Sequence, residues 1–186
     1  MEVIKAFAPG LVCRGHKFKR NEVNVTKEAN CVQNGWHAAE NPLDCLSYYS
    51  WNGKNEFYIC QAGGDIHEDG SDSKISCTEL LIGERLTLEK FVAKAIEYMI
   101  KHPNRKTNYH VKEQGETDGY EKFIIVRGKR PQASGKKDDV LGFVLENDKK
   151  QIISVALQKV GKNGIEPNTA YTIDSLGRVL KVGAVL

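Results

Sequence analysis

All five cysteines of this 186-residue chain (Cys13, Cys31, Cys45, Cys60, Cys77) and both tryptophans (Trp36, Trp51) lie before residue 78. Cysteine and tryptophan are largely buried residue types, so one evenly built core would not sort them to one end. The skew predicts two units, which a chain of this length can accommodate. Residues 1–100 read as an α/β domain. Residues 101–121 are polar and hold Pro103, Gly115 and Gly119, the composition of a basic linker or loop. Residues 122–186 read as a β-rich module.

In the first unit, strands are expected at 3–8, 11–13, 56–61 (ending at Gly63-Gly64) and 74–82, from β-branched and aromatic runs closed by glycine or proline. Asn41-Pro42 starts a helix, with Asn as cap, Pro at the first helical position and Asp44 in the first turn. The clearest helix is 88–101, where Leu88, Phe91, Val92, Ala95, Ile96, Met99 and Ile100 keep helical spacing. In the second unit, strands at 122–126, 140–146, 152–160, 170–174 and 178–182 are separated by turn residues, which predicts a small antiparallel meander. The fold class is therefore α+β: a mixed α/β N-terminal unit and a small antiparallel β C-terminal unit.

No run approaches the 18 or more apolar residues of a membrane helix, and the N-terminus lacks a basic segment followed by an apolar one. The chain is expected in the cytoplasm, away from membranes. Five cysteines without C-x-x-C spacing predict reduced thiols and no metal site. Walker, G-x-G-x-x-G, H-E-x-x-H and G-x-S-x-G motifs are absent. Net charge is only +3, yet residues 101–137 hold ten Lys and Arg against four acids. That block is either a solvated linker or a surface with weak affinity for a polyanion, with Arg127, Lys129 and Arg130 as partner-binding residues.

Two segments carry the candidate chemistry. The first is Cys13-Arg14-Gly15-His16-Lys17-Phe18. The second runs from Gly35-Trp36-His37-Ala38 through Pro42-Leu43-Asp44 to Tyr48-Tyr49. Both place polar residues on loops beside strand or helix ends, where sites are often built. The alternative is structural: Trp36, Tyr48 and Tyr49 as core aromatics and His37 as a hydrogen-bonded core histidine.

The CRGxxF and GWHAxxxPLDxLxYY segments resemble an uncharacterised family of phage and prophage proteins. Its members carry C-R-G-F, then G-F-H-A-C-x-x-P-L-D and a tyrosine pair. The likeness runs through SDSKISCTELLIGERLTLEKFVAKA and covers about residues 3–100. The stretch from ASGKK (133–137) to IEPNTAYTI (165–173) resembles that family's C-terminal module. Relatives often hold short repeats between the parts, where this chain has its basic segment. The resemblance implies a phage or prophage protein in the host cytoplasm and carries no activity with it; the basic loop and β-module suggest a non-enzymatic inhibitor or interaction protein that docks on a host protein or nucleoprotein complex.

The order strand, Arg-Gly, Gly-aromatic-x-Ala, tyrosine-ended helix, strand is more distantly similar to ADP-ribosyltransferases. That likeness implies NAD as candidate cofactor, held by Arg14, Gly15 and Tyr48. It implies Arg14, His37, Tyr49 and Glu79 as the catalytic set, with Glu84 the other candidate carboxylate. His37-Ala38-Ala39 stands where many members have Ser-Thr-Ser, and Glu79 lacks an E-x-E or Q-x-E context.

Overall fold

The computed structural model describes residues 1–68, 70 and 72–183, and the chain divides into two compact units, one from Met1 to Thr87 and one from Leu88 onward. In the first unit the strands are β1 (Glu2–Phe7), β2 (Val12–Cys13), β3 (His16–Lys17), β4 (Val23–Val25), β5 (Trp36–Ala39), β6 (Glu56–Glu68) and β7 (Lys74–Arg85). Their main sheet runs β4-β7-β5-β1-β6, with every pairing antiparallel. β6 and β7 also pair with each other, so the sheet closes on itself. Closure satisfies backbone groups that an open edge would leave unpaired.

The long β6–β7 hairpin supplies both walls, and its bend comes from the glycine pair. Gly64 sits at φ +67°, and a Cβ there would fall 2.0 Å from the Thr78 hydroxyl oxygen. The pairing register shifts between Gly63 and Ile66. Gly63-Gly64 therefore marks a bulge inside the strand rather than its end. Phe7, Phe18, Tyr58, Ile75, Leu80 and Ile82 form the centre of the core.

Between β5 and β6 lies a 3-10 helix, Pro42–Ser47. It starts as its sequence requires: Asn41 Oδ1 accepts from the Leu43 N–H at 3.2 Å, and Pro42 needs no partner. Leu43, Cys45 and Leu46 are buried, and the helix packs on β1 and β5.

The second unit opens with α1 (Leu88–Lys101) and continues with β8 (Val111–Lys112), β9 (Gln114–Glu116), β10 (Phe123–Gly128), β11 (Gln132–Ser134), β12 (Val140–Glu146), β13 (Ile152–Lys159), β14 (Tyr171–Ile173) and β15 (Val179–Lys181). Two four-stranded sheets form, β13-β12-β10-β8 and β15-β14-β11-β9. Val126, Ala133, Leu141, Phe143, Val160 and Tyr171 belong to one buried cluster of this unit. Helix α1 covers β12: a Cβ on Gly142 would stand 2.9 Å from Val92 Cγ1 and 3.1 Å from Ile96 Cδ1, so glycine permits the close approach.

Two sequence expectations are corrected here. Strand accounts for 44% of the chain and helix for 11%, well below the roughly one-third helix of an ordinary globular domain. The fold is predominantly β, not α+β, and the first unit is not a mixed α/β, ADP-ribosyltransferase-like body. Its connecting segments are broken by Gly35, Pro42 and Gly53 and rich in Asn and Ser, so they form turns and one short 3-10 helix. Nor is the second unit an antiparallel meander: β8, β10 and β12 run parallel, as do β9 and β11. The continuous apolar runs FIIV and VLGFVL are those of strands buried on both faces, as in parallel sheets.

Candidate functional site

The site is built on β1, the β2–β3 hairpin, β5 and the 3-10 helix. Arg14 (φ +47°) and Gly15 (φ +79°) are both left-handed and form the two-residue loop of a tight hairpin. Such a loop matches the twist of its strands. It sets Cys13 opposite His16. The His16 ring lies 4.6 Å from Trp36 and 4.7 Å from Phe18, and Trp36 is fixed by its indole N–H on the Asn24 carbonyl (3.0 Å).

These residues wall a cavity of about 330 Å³. Its polar lining includes Lys5, Arg14, His16, Gln33, Asn34, His37, Tyr48, Tyr49 and Lys74, together with Cys13 and one carboxylate, Asp44. Strand alternation explains the presence of Lys5. Val3, Lys5 and Phe7 share one face of β1, and Val3 and Phe7 lie in the core. Lys5 is only 4% exposed, and its amine donates to the His37 carbonyl. It lies 5.4 and 5.2 Å from the ring centroids of Phe7 and Phe18. Among the described residues no carboxylate pairs with it. Burial pushes its pKa below the usual lysine value, an effect that the four neighbouring thiols of Cys13, Cys60, Cys45 and Cys77 partly oppose.

Around this amine the partners are specific. Tyr49 donates its hydroxyl to Cys13 Sγ at 3.3 Å, and burial together with that bond raises its pKa to about 12, keeping it a donor. Lys74 donates to the Tyr48 hydroxyl at 2.9 Å. Asp44 accepts from the Ser73 hydroxyl at 2.6 Å and from the Ser73 N–H at 3.1 Å. His37 Nε2 accepts from the Val32 N–H at 2.9 Å. Burial first, then the charges of Lys5, Arg14 and Lys74, push the His37 pKa below its ordinary value, so the ring is a neutral acceptor.

Arg14, His37, Tyr48 and Tyr49 thus meet at one cavity, with Gly15 in the turn that presents Arg14. Glu79 does not join them: it is exposed on β7, beside Gly63 and paired with Val25. Glu84 is likewise exposed and not part of the lining. Sequence reasoning missed Lys5 and Lys74. The signal for Lys5 was present: in V-I-K-A-F a cation occupies the middle core-facing position of a strand. Lys74 opens β7 and carried no such mark.

In the second unit, Arg127, Lys129 and Arg130 do not form a uniform patch. Arg127 is 9% exposed, with Nε on Glu146 at 2.7 Å and Nη2 on the Pro103 carbonyl at 2.6 Å. Lys129 pairs with Asp148 at 2.7 Å, and Arg130 is exposed. The basic block also contributes β8 to β11 to the two sheets.

All five cysteines carry free thiols. Among the described residues, no cluster of three His, Cys, Asp or Glu could hold a metal, and no helix is long and apolar enough to cross a membrane. No curated protein and no solved structure matches the chain. A family model does match, over residues 1–94, which include every residue named at the cavity; the chain belongs to that family, described as a domain of unknown function (DUF7666).

Proposed function

We propose that the first unit is a binding module for a small planar anion of the nucleotide class. The observation that carries this reading is the convergence of Lys5 and Arg14 on one ring-walled cavity whose lining holds a single carboxylate, Asp44, itself held by Ser73; Lys74 also lines it but is ion-paired with Asp72 at 3.9 Å. A bound phosphate would pair with Arg14 and would favour the charged form of Lys5, which in the ligand-free cavity has no carboxylate beside it among the described residues. The rings of His16, Phe18, Trp36 and Tyr48 suit a base or similar planar group. The volume is at the lower end for small-ligand sites, about one mononucleotide.

Binding without catalysis is the better reading. Transfer of ADP-ribose needs a carboxylate beside an oxocarbenium-like centre. Glu79 is outside the cavity, and Asp44 already accepts two bonds from Ser73. The likeness to phage and prophage proteins supports a setting inside a host cell, with the module acting on a host target. Docking through Arg127 and Lys129 is less favoured, because both already have acid partners.

The test is titration of the full chain with AMP, ADP, NAD and inorganic phosphate, followed by calorimetry and thermal shift. A nucleotide should bind, weaken with salt, and lose roughly tenfold or more in affinity in Arg14→Ala, the cost of one charge-assisted contact. If no member of the panel binds, or if Arg14→Ala binds as well as the parent chain, the reading is wrong.

A further inference from the structure

We propose that Lys5 is a nucleophilic amine that captures a planar, anionic aldehyde as an imine inside the cavity. The inference rests on the anion-binding reading above and adds a covalent step to it. It begins from a residue that packing alone does not require. Val3, Lys5 and Phe7 point into the closed sheet, and a methionine or leucine would fill the middle position without a polar atom to satisfy.

The surroundings of the amine are those of a reactive lysine rather than of an ion pair. Among the described residues its hydrogen bond is to the His37 carbonyl, and its other neighbours are the rings of Phe7 and Phe18 and the thiols of Cys13, Cys45, Cys60 and Cys77. As the neutral amine it uses one N–H for His37 and keeps its lone pair. Burial without a carboxylate favours that neutral form, and desolvation of this kind activates lysine toward carbonyls. Lys5 lines the same cavity as Arg14, so an anionic substituent on the aldehyde has a cation to meet while its ring meets the aromatic wall.

The step balances without an oxidant or reductant. The Nζ lone pair forms a bond to the carbonyl carbon, and the C=O π pair moves to oxygen. A proton passes from nitrogen to that oxygen, giving a carbinolamine. The C–O bond then breaks, the hydroxyl leaves as water after taking a proton from the medium, and the nitrogen pair closes the C=N bond to give the protonated imine, which becomes the neutral imine when its N–H proton returns to the medium.

The probe is pyridoxal 5′-phosphate, planar and anionic with an aldehyde. Its control is pyridoxine 5′-phosphate, with an alcohol in that place. Both are added to the full chain at neutral pH, and the aldehyde samples are reduced with borohydride and mapped by peptide mass. We expect both to bind, the aldehyde alone to give an imine absorbance band, and AMP to protect against labelling. Label at Lys5 should exceed that at exposed Lys17 and Lys54 by roughly tenfold or more, since each unit of lowered pKa frees tenfold more amine. Lys5→Met and Lys5→Arg should both lose the band. Peptide mapping of the parent chain decides the matter even if neither variant folds. Binding of both compounds with Lys5 unlabelled would sink the imine and leave the anion site standing. Failure of both compounds to bind, with label scattered over exposed lysines, would remove both readings.

Discussion

The two units treat buried charge in opposite ways. Among the described residues of the second unit, buried charges have an opposite or hydrogen-bonding neighbour: Arg127 with Glu146, His110 with Glu121 at 3.2 Å, and Asp139 with the Thr117 hydroxyl, although Nη1 of Arg127 and Nε2 of His110 are left without a hydrogen-bond partner. In the first, Lys5 is buried as deeply, and among the described residues its amine has a carbonyl and no carboxylate as partner. A satisfied network fixes a structure, whereas an uncompensated group in a cavity leaves an interaction for a ligand to complete. The contrast is what the proposed binding at the first unit rests on.

The strongest way to break this contrast is to damage the second core. Phe143 is fully buried between residues of both sheets, so Phe143→Ala should cost about 3–5 kcal/mol. Denaturant unfolding should show the loss, while nucleotide affinity at the first unit stays within twofold. Affinity that disappears together with the second core would show that the units do not act separately. A milder lesion sharpens the same point. Asp139 is 3% exposed and accepts from the Thr117 hydroxyl and from the Lys136 N–H at 2.9 Å. Asp139→Ala leaves both donors unpaired and should cost about 1–3 kcal/mol, with binding again unchanged.

Much of this organisation was legible from residue pattern, and the failures have physical reasons. Strand positions in β1, β7 and β12 follow from β-branched and aromatic runs, and Asn41-Pro42 does start a helical turn. Pairing direction was not legible, because FIIV and VLGFVL are apolar on both faces and erase the alternation that marks a half-exposed antiparallel strand. Helix α1 shows regular apolar spacing, but spacing does not say which sheet the stripe covers; Gly142, forty residues on, is what lets Val92 and Ile96 settle on β12. At the cavity, the CRG and GWHA segments led to Arg14 and His37. Glu79 was chosen by order along the chain, yet β7 carries it on an exposed face.

Lys5→Met inverts the sign seen at Asp139. Removing a buried amine that lacks a charge partner, while keeping a side chain of similar length, should leave stability unchanged or raise it by up to about 1 kcal/mol, with nucleotide binding lost. The pH dependence gives a second readout. The Lys5 pKa is lowered in the folded chain, so below 10.5 the unfolded chain holds a proton that the folded chain gives up. Stability therefore rises with pH as that window is crossed. The buried thiols act the other way: Cys45 and Cys60, raised to about 12, and Cys77, raised to about 11, cost stability only above their ordinary 9.0. Below pH 9 the lysine is unopposed by them, and Lys5→Met should flatten the rise in melting temperature on the approach to pH 9.

The smallest effect is local and lies at the turn closed by His37. Val32 sits at φ +74°, a left-handed conformation that a β-branched residue adopts only at a cost of about 1–3 kcal/mol. Its N–H is held by His37 Nε2, which accepts only while the ring is neutral. The folded His37 pKa lies below the ordinary 6.5, so its stabilising contribution is complete above 6.5 and is lost as pH falls through the lower folded value. Protonation turns Nε2 into a donor facing another donor, and the Val32 turn loses its hold on the cavity wall. Amide exchange of Val32, corrected for the intrinsic rate, should show protection at pH 7.5 that falls on acidification toward pH 5, a range of the kind in which histidine titrates. In His37→Phe the protection should be low at both pH values while the paired strands β1 and β6 exchange as in the parent chain. Protection of Val32 that does not change with pH would mean that the histidine is not what holds this turn, and that the strained residue is kept in place by the Asn30–Asn34 bonds around it (Asn30 N–H to Asn34 Oδ1, 2.7 Å).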